Sequence, residues 1–299
     1  MSSFRLRGVI PPVVTPLTEG GIHVDVDALQ AHVAWLCSQG VHALMPCGTT
    51  GEGPLLTTQE RIDVLRWVLE VVRGRTPVIA HVGAITTAES VALAEAAATG
   101  GADAVSIVAP YYFRIPDEAL VQHFVAVSQA VVDLPAYLYN IPQCAGNVLT
   151  PSIVEQVVAQ APNVRGVKDS AGDLNILRQF IDVGIPDFHV ACGADPLVFE
   201  ALGIGATASI SGNANAFPEV VVELFRRYWA GDLAGAKRQQ DLLDVVRNAL
   251  RNGQSISLIK RGIEMRGLRG GCVRPPLPEV SAAEVEAARR PLVDAGLLG

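Results

Sequence analysis

Eight short apolar runs, each followed by a stretch of helical periodicity, constrain this chain more than any other feature. The runs are Gly8 to Thr15, Val41 to Pro46, Pro77 to Val82, Ala104 to Ala109, Pro135 to Asn140, Val164 to Lys168, Phe188 to Cys192 and Ala206 to Ser211. They are too short for buried helices and almost continuously apolar, as strands covered on both faces must be. Between them Thr57 with Glu60 and Thr86 with Glu89 have the spacing of capping boxes, while Thr150-Pro151 and Asp195-Pro196 place an N-cap before a first-turn proline. Gly40, Gly74, Gly100 and Gly203 are expected to end the corresponding helices. Eight parallel strands alternating with helices over roughly 225 residues predict a closed (β/α)8 barrel, which typically takes about 250. An open doubly wound sheet would favour a Gly-x-Gly-x-x-Gly turn after the first strand, but Val13-Val14-Thr15-Pro16 stands there. From Phe217 onward helical periodicity continues through Glu219 to Ala230, Leu233 to Arg251 and Ser281 to Ala295 without a strand signal. The expected fold is therefore α/β, a (β/α)8 TIM barrel over residues 1–225 that carries the site, with a C-terminal helical appendage over 226–299.

Composition narrows the function. Hydrophobic residues make up 49% of the chain and charged ones only 18%, so little of it asks to face water and a homodimer or homotetramer is expected. The net charge is −7, and no basic run supplies the footprint of a nucleic-acid binder. No apolar run approaches the length of about 18 residues needed to span a membrane, and prolines at 11 and 12 interrupt any signal-peptide core, so a cytoplasmic protein is expected. The five cysteines contain no Cys-x-x-Cys pair and are read as reduced thiols, with neither a disulfide framework nor a zinc site.

Lysine is the informative residue type: the 23 cationic side chains comprise 20 arginines and only Lys168, Lys237 and Lys260. Lys237 and Lys260 lie in helical stretches beside arginine and are read as solvated. Lys168 instead ends an apolar strand, at the face where barrels carry their active sites. An ammonium in low-dielectric surroundings loses part of its preference for charge, and a free amine is a nucleophile toward a ketone. Pairing with Asp169 is the alternative. Tyr139 ends the preceding strand, and adjacent strands lie about 4.8 Å apart, so a phenol and an amine can meet on one small molecule; a core tyrosine is the alternative. Gly48-Thr49-Thr50-Gly51-Glu52-Gly53 follows the second strand, and its hydroxyls and amide groups suit a small carboxylate, although a plain turn would read the same. Pro110-Tyr111-Tyr112-Phe113 reads as an interface, a lid or a packed loop.

Together these motifs resemble the dihydrodipicolinate synthase and N-acetylneuraminate lyase family of Schiff-base aldolases. Gly48-Thr-Thr-Gly-Glu52, Tyr111-Tyr112, Tyr139-Asn-Ile-Pro142 and Gly166-Val-Lys-Asp169 occur in the family's order over nearly the whole chain. The resemblance implies that Lys168 forms a Schiff base with a 2-oxo acid, usually pyruvate, and that Tyr139 transfers protons. It further implies that Thr49 and Thr50, with Gly48, bind the carboxylate and complete a hydroxyl relay. Tyr112 would be lent across a dimer, and Ile210 would form an apolar wall. No cofactor and no metal are implied. Cys144 stands where dihydrodipicolinate synthases carry an arginine for the second substrate's carboxylate, which weakens that reading. Asp195-Pro196 and Gly212-Asn213 depart from the sialic acid lyase pattern. The expected activity is a pyruvate-dependent aldolase or lyase acting on a small 2-oxo acid, such as a 2-keto-3-deoxy sugar acid or 4-hydroxy-2-oxoglutarate, with a sugar-acid dehydratase as alternative. Ser170, Ser211, Asn213 and Asn215 are placed to meet hydroxyls or to cap loops. A metal-dependent aldolase using His81 or His189, or a barrel that only binds a 2-oxo acid, are the competing classes.

Overall fold

The computed structural model describes residues 4–253 and 255–299. Contacts group them into two compact units, one running up to Gly8 and again from Pro77 to Ile210, the other spanning Val9–Thr76 and Ser211–Gly299.

The first unit is built on strands. β1 (Gly8–Val9), β2 (Ile79–His81), β3 (Ala104–Val108), β4 (Ala136–Asn140), β5 (Val164–Asp169), β6 (His189–Cys192) and β7 (Ala208–Ser209) follow the order β1-β7-β6-β5-β4-β3-β2 across the sheet. The pairs from β2 through β7 are parallel, and at the other edge the Gly8 N–H donates to the Thr207 carbonyl at 2.9 Å. Every residue of β3 and β4 is buried, the signature of strands covered on both faces. Helices Thr87–Gly100, Asp117–Gln129, Pro151–Gln160, Leu174–Ile181 and Val198–Ile204 alternate with them. Thr86 and Thr150 accept the expected capping bonds from Glu89 N–H and Ile153 N–H.

Two boundary expectations are corrected. Asp195 does not cap: Ala194 is the N-cap, and Asp195 opens the 3-10 turn Asp195–Leu197. Gly100 and Gly203 lie within their helices, and the left-handed residue that stops each is the next available glycine, Gly101 at φ 88° and Gly205 at φ 111°.

In the second unit the run Val41 to Pro46 forms no regular strand. It nevertheless lies beside residues 9–13: His42 N–H donates to Val9 O at 2.9 Å, Met45 N–H to Pro11 O at 3.0 Å and Val13 N–H to Met45 O at 3.0 Å. Pro11 and Pro12 have no N–H to contribute, and Val9 N–H turns to His42 Nδ1, so the ladder is incomplete. Val26–Ser38, Thr58–Val72, Pro218–Trp229, Leu233–Ala249, Ile256–Glu264 and Ala282–Asp294 are helical. Thr57 with Glu60 and Ser281 with Glu284 form complete capping boxes. Each cap satisfies amide groups the helix cannot, and removing one costs about 0.5–2 kcal/mol. No helix among the described residues is long and apolar enough to cross a membrane.

Candidate active site

Parallel pairing sets Tyr139 of β4 opposite Lys168 of β5, and Lys168 opposite Ala191 of β6. Both side chains are buried, with 4% of Lys168 and 2% of Tyr139 exposed. Lys168 Nζ lies over the Tyr139 ring, 3.7 Å from its centroid, where the negative face of the ring attracts an ammonium. The His81 ring packs edge-on against the same tyrosine at 6.0 Å. The strand-end lysine and phenol are thus brought together.

Asp169 does not take up the amine. Its Oδ1 accepts from Asn140 Nδ2 at 2.7 Å, and Asn140 Oδ1 accepts the Leu149 N–H at 3.0 Å. Burial pushes the Asp169 carboxyl above its ordinary range, with the Asn140 bond opposing. Ser170 is buried, and its carbonyl accepts from Gln143 Nε2 at 2.8 Å. Gln143 and Cys144 belong to the short helix Pro142–Ala145. Burial pushes the Cys144 thiol up, while the field of Lys168 draws it down.

Gly193 was not singled out in the sequence, yet it makes room at this strand end. A Cβ there would collide with Ser170 Oγ and come within 3.2 Å of Lys168 Cε, while the Gly193 N–H is fixed on Asp169 O at 2.7 Å. A glycine directly after the run ending at Cys192 was the available signal. Ile210 is buried, and Tyr112 is 84% exposed at φ 82° with its ring edge-on to Phe113 at 4.9 Å. Asn147 staples that loop by donating to Pro110 O at 2.7 Å and Phe113 O at 2.8 Å.

In the second unit the Gly48–Gly53 loop folds on itself, Gly53 N–H donating to Gly48 O at 3.0 Å and Glu52 N–H to Thr49 O at 3.1 Å. Gly53 has no room for a side chain against Cys47 O, and a Cβ on Gly51 would lie 2.6 Å from Val13 O. Thr49 and Thr50 are half-buried, and Thr50 Oγ1 lies 3.5 Å from where a Gly212 Cβ would stand, which places Thr50 beside Gly212. Ser211 Oγ accepts the Ala214 N–H at 3.2 Å. Asn213 is buried. Asn215 is committed to the backbone: it donates to Pro12 O and Gly212 O and accepts from Val14 N–H, as well as facing His32 Nε2 at 3.2 Å.

Lys260 is the clearest correction. Far from being solvated, it is wholly buried and meets Glu52 Oε1 at 2.5 Å, while Arg274 N–H donates to Glu52 Oε2 at 2.7 Å. Burial pushes the Lys260 ammonium down against the pull of Glu52. The spacing Ile256, Ile259-Lys260, Ile263 puts this lysine on the apolar face of its helix, a signal present in the sequence. Lys237, by contrast, is 47% exposed and bridges Asp241. The buried thiols of Cys47 and Cys192 are pushed up to about 12, so both stay protonated at neutral pH.

The chain is similar to known proteins over nearly its whole length. The model of the dihydrodipicolinate synthetase family matches residues 5–294. An uncharacterised DapA-like lyase of Halobacterium salinarum is 38% identical, over 98% of this chain and 95% of its own. A 4-hydroxy-tetrahydrodipicolinate synthase of Methanopyrus kandleri is 35% identical, over 99% and 98% respectively. Among solved structures, YagE of E. coli K12, a prophage protein of the dihydrodipicolinic acid synthase family crystallised with pyruvate, superposes with a TM-score of 0.93 at 29% identity, covering 97% of this chain and 99% of that one. The fold is accordingly the TIM barrel with a C-terminal helical part expected from the alternating runs. The chain belongs to the dihydrodipicolinate synthetase family, whose members are aldolases and lyases.

Proposed function

We propose that the protein is a class I aldolase that forms a Schiff base between Lys168 and a small 2-oxo acid, with pyruvate as the three-carbon unit. One observation carries the reading: a buried amine and a phenol stand together at adjacent strand ends, Lys168 Nζ 3.7 Å from the Tyr139 ring centroid. The amine adds to the C2 carbonyl and water leaves, giving an iminium. The iminium draws electrons from the C3–C4 bond, which breaks to release an aldehyde and leave an enamine. A proton returned to C3 and hydrolysis then free pyruvate and Lys168. Tyr139 moves the protons. Thr49 and Thr50, with the Gly48 amide, receive the carboxylate, Ile210 walls the methylene side, and Ser170 and Ser211 meet hydroxyls of longer substrates. Tyr112 is offered to a second copy of the chain in a homodimer or homotetramer.

Cys144, standing where an arginine would clamp it, favours a substrate lacking the second carboxylate of the dihydrodipicolinate synthase reaction, since a thiol offers no bidentate clamp. The second reading, 4-hydroxy-tetrahydrodipicolinate synthase, is favoured by the name of the Methanopyrus relative. Incubation with pyruvate and borohydride should leave a reduced adduct on Lys168, and a panel of 2-oxo-3-deoxy acids should release pyruvate. An unmodified Lys168 overturns the Schiff-base reading, and condensation of pyruvate with aspartate semialdehyde, without cleavage of any panel member, replaces the aldolase with the synthase.

A further inference from the structure

The surroundings of Glu52 are built more closely than a turn requires. Glu52 lies two residues beyond Thr50, at φ 58°, with its carboxylate wholly buried. Each oxygen has its own partner, Lys260 Nζ on Oε1 and the Arg274 N–H on Oε2. All three ammonium protons of Lys260 are spent, on Glu52, on Thr15 O at 2.7 Å and on Cys272 O at 2.5 Å. Thr15 passes the constraint onward, its hydroxyl donating to Gly51 O at 2.7 Å. The loop is therefore gripped at two successive residues, through a carbonyl at 51 and a side chain at 52. Arg274 completes the clamp, its guanidinium forking onto Glu60 at 2.7 and 2.9 Å and reaching Gly21 O, Ile22 O and Leu55 O. Glu60 in turn accepts the Thr57 N–H at 2.8 Å, so the helix that leaves the loop is pinned by the same C-terminal segment.

A buried ion pair is a poor way to stabilise a fold, since apolar residues of the same volume often do as well or better; in some proteins such groups serve instead to define geometry. Here the geometry defined is that of Gly48–Gly53, a loop whose glycines at 48, 51 and 53 contribute no side-chain packing of their own. Holding a small carboxylate on hydroxyls and amide groups demands placement to within about 0.5 Å.

We infer that Lys260, acting through Glu52, is a positioning residue for the Thr49–Thr50 loop, so that the helix Ile256–Glu264 sets how tightly the 2-oxo acid carboxylate is held. This rests on the carboxylate-binding role given to that loop above.

The test is borohydride trapping at Lys168 over a range of pyruvate concentrations, with thermal melting as a check of folding. Two variants are compared with the wild type. Glu52→Gln combined with Lys260→Met removes both charges and leaves neither buried alone. Glu52→Asp keeps the charge balance and withdraws the carboxylate by one methylene. The half-saturating pyruvate concentration should rise about tenfold or more while the maximal trapping rate stays within about threefold, a split that a general loss of stability would not produce. Half-saturation within about twofold of wild type in a folded variant overturns the positioning role, and if the double variant does not fold, Glu52→Asp alone decides it. Absence of trapping in the wild type overturns the Schiff-base reading instead, so the two failures are distinct.

Discussion

Gly193 and Ser170 share one small volume: the space a Cβ would fill at Gly193 is held by the Ser170 hydroxyl, and Lys168 Cε lies just beyond it at 3.2 Å. Gly193→Ala should therefore leave a folded protein whose amine is displaced, slowing trapping of pyruvate by about tenfold or more, because misplacement by about 1 Å is costly at a reacting centre. Adding Ser170→Ala should recover part of the rate by removing the nearest obstacle. Mass spectrometry of the reduced adduct over time checks both, and an unchanged rate in Gly193→Ala would refute the steric account.

Tyr139→Phe keeps the ring under Lys168 and against His81 and removes only the hydroxyl. Turnover should fall by about 10²–10⁴ while the pyruvate concentration for half-maximal trapping changes little. Steady-state kinetics beside trapping makes the comparison, and full turnover in the variant removes the proton shuttle.

Lys260→Met leaves the Glu52 carboxylate buried without its ammonium, which should cost about 3–5 kcal/mol. Lys237→Met, at an exposed i,i+4 pair, should cost less than about 0.5 kcal/mol. Urea midpoints measured in parallel should separate the two by several-fold.

Stability should fall as pH drops from about 6.5 toward 4. His32 and His123 are buried, and burial lowers each pKa to about 4. Between that value and the unfolded one the unfolded chain binds more protons, so stability rises with pH through the window and is complete above about 6.5. His32, fully enclosed, should account for about 3 kcal/mol of the loss. Urea unfolding at pH 7.5 and pH 4.5 tests it, and equal stability at the two would contradict neutral buried imidazoles.

The sequence spoke clearly where local chemistry decides. Thr57-Glu60 and Thr150-Pro151 cap as written, and Ala104 to Ala109 reads as a buried strand because nearly every residue in it is apolar. It spoke less clearly where distant parts compete. Val41 to Pro46 has a strand's composition but meets a neighbour deprived of two amide donors by Pro11 and Pro12. Asp195 resembles a cap, yet the 3-10 turn starts on it. Lys168 and Tyr139 were legible as a pair because parallel neighbours place their ends together, whereas Lys260 and Glu52 stand 208 residues apart, with no local rule to join them. Gly193 was hidden for a different reason: its role is to be absent from a space that only the folded Ser170 and Lys168 define.

The near-absence of lysine gives the chain an unusual reporter. Of the two helix lysines, Lys260 is enclosed, so an acylating reagent reaches only the other, Lys237. One added group at that position marks the intact molecule. A second, arriving at Lys260, times the peeling away of the helix Ile256–Glu264 without any engineered label.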